Sequence, residues 1–241
     1  MTSRLPAPNF EGGALRAALS AIAAALLLLG GFAFAAQPRC PSPSVSVVGG
    51  TAADRAQACV GALDAIEFLA RRGLVLRGTV VVRVVPALPE ADPERSVAVF
   101  EPAQDEIRIR DYDSAARAAL ERPLALWPHM SPALWRSYVA HEVAHRIAEA
   151  NMAAEVPRFT AIEYIGCVTQ IATLPGNLRD AMLAAYSAQS AFEHEGQINA
   201  ILYLIDPSAF TIRAYRHFAA LRDGARFLEV LLENGAPSDY E

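Results

Sequence analysis

The chain has 241 residues, 53% of them hydrophobic, with a formal charge of −5. That length suits one domain with a sizeable core. Mild acidity argues against a nucleic-acid partner and a polybasic membrane surface, and all 21 basic residues are arginine, which excludes lysine-based chemistry.

Residues 1–16 are loosely polar, with Arg4 and Arg16 against Glu11. Residues 17–36 are almost unbroken Ala, Leu, Ile, Gly and Phe. Ala33-Phe34-Ala35 offers small residues at the two positions a signal peptidase reads. Residues 1–35 therefore read as a signal peptide, with an N-terminal membrane anchor as the alternative. Both place the remainder outside the cytoplasm, secreted or periplasmic, and limit membrane contact to that segment. Loss of Arg4, Arg16 and Glu11 on cleavage moves the formal charge from −5 to −6.

Residues 36–50 are rich in Pro, Ser and Gly and read as an extended arm. Residues 51–241 read as a single domain. A helix is expected over 52–72, stopped by Gly73. The β-branched run from Gly78 to Val85 is a strand. After a loop at 86–93, the runs 96–100 and 106–110 read as a hairpin. Its second run alternates apolar with charged residues, as in a sheet with one wet face. Asp113 to Leu120 suits a short helix, followed by a loop carrying Trp127 and His129. Further helices are expected at 159–174, at 178–190 with Asn177 as cap, within 193–205, from Asp206-Pro207 through Leu221, and at 225–233. In an oxidising compartment Cys40 and Cys59 form the natural disulfide pair. Cys167 lies among Ile165, Val168 and Ile171 and reads as a buried thiol.

The stretch with chemistry in it is Tyr138 to Asn151, which contains His141-Glu142-Val143-Ala144-His145, an H-E-x-x-H motif. Ser131 suits an N-cap and Pro132 the first helical position. Leu134, Trp135, Tyr138, Val139 and Ile147 form an apolar stripe at helical spacing, and Asn151 can end the helix. Residues four apart share a helix face, so His141 and His145 can offer two imidazole nitrogens to one ion. Glu142 lies about 100° round the helix, within reach of a water on that ion. Two neutral imidazoles suit Zn2+, and a neighbouring carboxylate suits a general base. A catalytic zinc needs a third protein ligand. Glu163, 18 residues after His145 at the start of the next helix, is the first candidate. Glu193, His194, Glu195 and His217 are the alternatives.

His141-Glu142-x-x-His145 followed by Glu163 on a downstream helix resembles the gluzincin metallopeptidases, including thermolysin-like enzymes and metalloaminopeptidases. The chain is similar also to small secreted H-E-x-x-H proteins of unassigned substrate, through the Cys59 helix, the hairpin, Glu163-Tyr164 and Tyr215-Arg216-His217-Phe218. The resemblance implies an α+β, zincin-like fold: a small three-stranded, largely antiparallel sheet, then a mostly helical half carrying the motif. It implies zinc on His141, His145 and Glu163, with Glu142 as general base. Tyr215 and His217, with Tyr164 behind them, become the candidate oxyanion donors. The strand 106–110 would be the edge that pairs with an extended substrate. Two features depart from the pattern. Cys167 stands where thermolysin-like enzymes carry the aspartate that orients a histidine, which leaves a backbone carbonyl or Gln170 to orient His141. The aminopeptidase Gly-Ala-Met-Glu-Asn strand is missing, so no exopeptidase specificity is implied. The expected function is a secreted zinc peptidase acting on a peptide or protein substrate. The alternative is a non-catalytic zinc protein of the cell envelope.

Overall fold

The computed structural model describes residues 40–88, 97–121, 129–153 and 159–236. The signal segment, the start of the arm, most of the 86–93 loop, Trp127 and residues 154–157 lie outside them. Among the described residues there are four strands and eight α-helices, an α+β arrangement. In chain order these are β1 (Val45–Gly49), α1 (Ala52–Ala70), β2 (Val80–Val85), β3 (Ala98–Glu101), β4 (Glu106–Arg110) and α2 (Tyr112–Glu121). There follow α3 (Pro132–Asn151), α4 (Phe159–Ala172), α5 (Gly176–Ala185), α6 (Ala200–Ile205), α7 (Pro207–Ala220) and α8 (Gly224–Asn234). No described helix is long and apolar enough to cross a membrane.

The sheet is mixed and four-stranded, in the order β1-β2-β4-β3. β1 pairs parallel with β2, β2 parallel with β4, and only β3 with β4 is antiparallel. This corrects the expected three-stranded, largely antiparallel sheet. The extra strand, Val45–Gly49, falls in the stretch read as an extended arm. Gly49 and Gly50 close it, with φ of 76° and 56°. A Cβ on Gly49 would stand 2.2 Å from the Val84 carbonyl oxygen, so only glycine allows this approach. α1 is the crossover that parallel pairing demands. Thr51 and Asp54 start it with a capping box. Asp54 is itself buried and also accepts the Tyr112 N–H.

The hairpin is formed as expected, but its strand order corrects the substrate-edge assignment. β4 is interior, and of the hairpin's two strands β3 is the sheet edge, with β1 the opposite edge. The Arg110 N–H donates to the Val97 carbonyl, so residues 97, 99 and 101 make the ladder bonds with β4. Ala98 and Phe100 therefore turn their backbone groups to the open side. One sheet face is apolar, with Val80, Val82, Val84, Ile107 and Ile109 all buried. The other carries Arg83, Glu106 and Arg108 in ion pairs, the expected wet face.

α3 lies across the core. Ser131 accepts the Leu134 N–H and Pro132 occupies the first turn, as the sequence indicated. Trp135 is fully buried and its indole N–H donates to the Arg110 carbonyl at 2.8 Å. Burying such a ring stabilises the fold by roughly 3 kcal/mol. At its far end Arg146 pairs with Asp105 in the β3–β4 turn. Asn151 ends the helix and donates to the Ile147 and Val75 carbonyls. α4 packs against α3, and α7 packs in turn against α4. Asn177 lies inside α5, which begins at Gly176 with no side-chain cap, so its expected capping role is corrected. Cys40 and Cys59 are disulfide-bonded, 19 residues apart. Closing a loop of that size is worth about 3 kcal/mol.

Candidate metal centre

The α3–α4 contact brings the motif and its distant partner together. His141, His145 and Glu163 place one ligand atom each within 4.8 Å of one another. Three points so spaced all lie within 4.8/√3, about 2.8 Å, of a common centre, close to the 2.0–2.2 Å that zinc takes from nitrogen and oxygen. Glu163 Oε2 is 3.3 Å from His141 Nε2 and 3.5 Å from His145 Nε2. The group sits at the buried edge of the core, its side chains only 9–12% exposed.

Hydrogen bonding does not satisfy this cluster. His145 Nε2 and Glu163 Oε2, which face each other in the cluster, are buried atoms with no hydrogen-bond partner among the described residues, and so is His141 Nδ1, the ring nitrogen other than the one that faces Glu163. Such atoms carry a desolvation cost of about 1–3 kcal/mol each, which an ion bound between His145 Nε2 and Glu163 Oε2 would relieve for those two. Charge is concentrated here too. Burial opposes a charged His145 ring, but the Glu163 and then the Glu142 carboxylates outweigh it and push the ring up to about 10. Burial would likewise raise Glu163, yet the two histidines hold it well below the usual carboxylate range. These donors can hold a metal ion.

Glu142 is buried beside the cluster. Its Oε2 accepts the Phe100 N–H at 2.8 Å and lies 3.3 Å from His145 Nδ1. The Phe100 amide is one of the two that β3 turns outward. The edge strand thus fixes the carboxylate next to the imidazoles.

Gly166 is the third feature. It follows Glu163 by three residues and faces the same way. A Cβ there would stand 2.6 Å from His145 Nε2 and 2.9 Å from His141 Nε2. The sequence shows Gly166 inside a helix, where glycine costs about 1 kcal/mol against alanine; that cost was a legible signal of close approach. Tyr203 on α6 is the fourth feature. Its phenol is held far above its ordinary pKa, by burial first and then by the nearby Glu163 carboxylate. Packing against Phe159 and Phe210 fixes the ring. No local pattern marks this residue.

The remaining candidates lie elsewhere. His217 Nδ1 is 2.7 Å from the Tyr164 hydroxyl, and its ring packs between Phe192 and Phe227. Burial lowers the pKa of His217 and raises that of Tyr164, so a neutral phenol and a neutral ring share this hydrogen bond. Tyr215 lines a separate pocket with Arg72 and Phe218. Glu193, His194 and Glu195 are exposed on the surface. Gln170 turns to Ser137 at 3.5 Å and His141 Nδ1 has no hydrogen-bond partner among the described residues, so neither Gln170 nor a backbone carbonyl orients His141 as expected. Cys167 is a buried free thiol, as read from the sequence. The Thr211 hydroxyl gives its proton to the Pro207 carbonyl, so the thiol donates to Thr211 at 3.1 Å.

Residues 45–239 match the model of a family of unknown function, DUF6639. No curated protein and no solved structure matches the chain. With most of its length covered by that one match, the chain belongs to the DUF6639 family.

Proposed function

We propose that this protein is a zincin-like, zinc-dependent peptidase, secreted or periplasmic, acting on peptide or protein substrates. The observation that carries the reading is the meeting of His141, His145 and Glu163 donor atoms within 4.8 Å, with the Glu142 carboxylate beside them. Two nitrogens and one oxygen are the donor set of a catalytic zinc site that keeps one position open. A bound zinc ion supplies an acidified water and polarises the scissile carbonyl.

The chain's own residues do the rest. Glu142 takes the proton of the attacking water and passes it to the leaving amine. Phe100, through its backbone N–H, keeps that carboxylate aimed. Tyr203 is the candidate donor for the developing oxyanion, since its buried phenol feels the Glu163 carboxylate. The outward backbone groups of Ala98 and the Phe100 carbonyl offer pairing positions to an extended peptide. The order of sheet, then motif helix, then glutamate helix supports the likeness to gluzincins. The apolar run at 17–36 supports export.

Glu142→Gln tests the reading. The variant is expected to keep its metal and to lose hydrolysis of a mixed peptide library by about 10²–10⁴-fold. Equal activity in parent and variant would remove Glu142 as the base. Zinc bound by a parent chain that turns over no peptide would instead support the non-catalytic envelope protein.

A further inference from the structure

A second cluster of chemistry lies away from the metal centre. Four arginines line one open cavity of about 650 Å3: Arg71 and Arg72 at the end of α1, Arg179 on α5, and Arg222 between α7 and α8. The acid in the lining is Asp223, whose Oδ1 is engaged by the Arg226 N–H at 2.9 Å. Arg71 is also paired with Glu67 one turn back on α1; with that acid and Asp223 counted, the four arginines leave a net charge of +2, in a chain whose total is −5. Ala172 marks its position along α4, nine residues from Glu163 and so about 13 Å along the helix axis.

Part of this positive charge is already held in place. The Arg72 guanidinium stacks on Phe68, 3.6 Å from the ring centroid, and donates to the Phe68 carbonyl. A guanidinium fixed in this way loses little entropy on gripping an anion. Burial and then the neighbouring Arg71 charge lower its pKa, which is the mark of like charges held together. Arg222 has no ion-pair or hydrogen-bond partner among the described residues, and Arg179 reaches Asp180 only at 3.8 Å. The N-terminus of α8, an eleven-residue helix, completes the wall with Gly224 and Ala225. Its first amides and dipole favour negative charge.

We propose that this cavity binds a multiply charged oxyanion, with phosphate-bearing ligands the best match. Planar guanidinium forks grip phosphate oxygens in pairs, and two net positive charges exceed what a single carboxylate neutralises. The site is independent of the metal centre and of the peptidase reading.

Calorimetric titration of the full chain with inorganic pyrophosphate at low salt tests this. Binding at one site per chain is expected, weakening as salt is added. Arg179 is half-buried and Arg222 exposed, and Arg179→Gln and Arg222→Gln should each weaken it roughly tenfold. Vesicles of phosphatidylglycerol, with phosphatidylcholine as control, separate the two sources of such a ligand. Capture by the anionic vesicles that pyrophosphate reverses identifies a lipid headgroup. Pyrophosphate binding without capture identifies a free anion. Binding that survives the paired arginine substitution, or that disappears in His145→Ala, overturns the assignment, as does absence of binding to both probes.

Discussion

Glu163 and Tyr164 are neighbours on α4, yet they belong to opposite kinds of environment. Glu163 turns toward two imidazoles, and the group keeps three buried polar atoms without hydrogen-bond partners. Tyr164 turns toward His217, and each satisfies the other at 2.7 Å within a shell of aromatic rings. Both clusters join a histidine to a residue on the same helix. One is arranged as if for a missing guest, and the other is closed. The difference shows that residue type alone does not identify a site; the tally of satisfied partners does.

The contrast can be broken most sharply through Tyr203, the residue that reaches the open cluster from outside. Tyr203→Phe removes the phenol and leaves the ring. Peptide hydrolysis should fall about 10²–10³-fold while metal content stays unchanged. A rate within a few-fold of the parent would remove Tyr203 as the oxyanion donor. Gly166→Ala attacks the same cluster from beneath. The added methyl must displace both imidazoles, so metal affinity should drop roughly 10- to 100-fold in competition with a chelator. Unchanged affinity would mean that the rings are free to shift.

How much of this was legible in the sequence follows from how local each signal is. Ser131, Pro132 and the apolar stripe define α3 within one stretch of chain, so the motif helix could be read directly. Glu163 could be found because it is an acid among apolar residues on the next helix. β1 was missed because Val45–Gly49 sits between Pro-Ser repeats and two glycines. Only its parallel pairing with β2, more than thirty residues on, makes it a strand. The edge strand was misassigned for a similar reason: a hairpin shows its turn but not which arm lies beside a third strand. Tyr203 lies on a six-residue helix, and its contact with Glu163 spans 40 positions.

The electrostatic side of the comparison sets a pH dependence. With no metal bound, the His145 pKa is raised to about 10 from 6.5, so the ring is charged at neutral pH. A ligand nitrogen must be neutral, so loading expels that proton. Apparent metal affinity should therefore rise about tenfold per pH unit from about pH 6 to 8, with the proton seen as a buffer-dependent heat. Affinity that does not vary with pH would place the proton elsewhere. The closed cluster predicts the smallest effect. His217→Phe leaves the Tyr164 hydroxyl without its partner and should cost about 1–3 kcal/mol in denaturant unfolding. Metal content should not change; a loss would join two clusters that the geometry keeps apart.

The most direct test is elemental analysis of the chain, purified without added metal, beside Glu163→Ala and His217→Phe. The account predicts one zinc per chain in the parent and in His217→Phe, and almost none in Glu163→Ala. A parent chain free of stoichiometric metal, or zinc that survives the loss of Glu163, would contradict it.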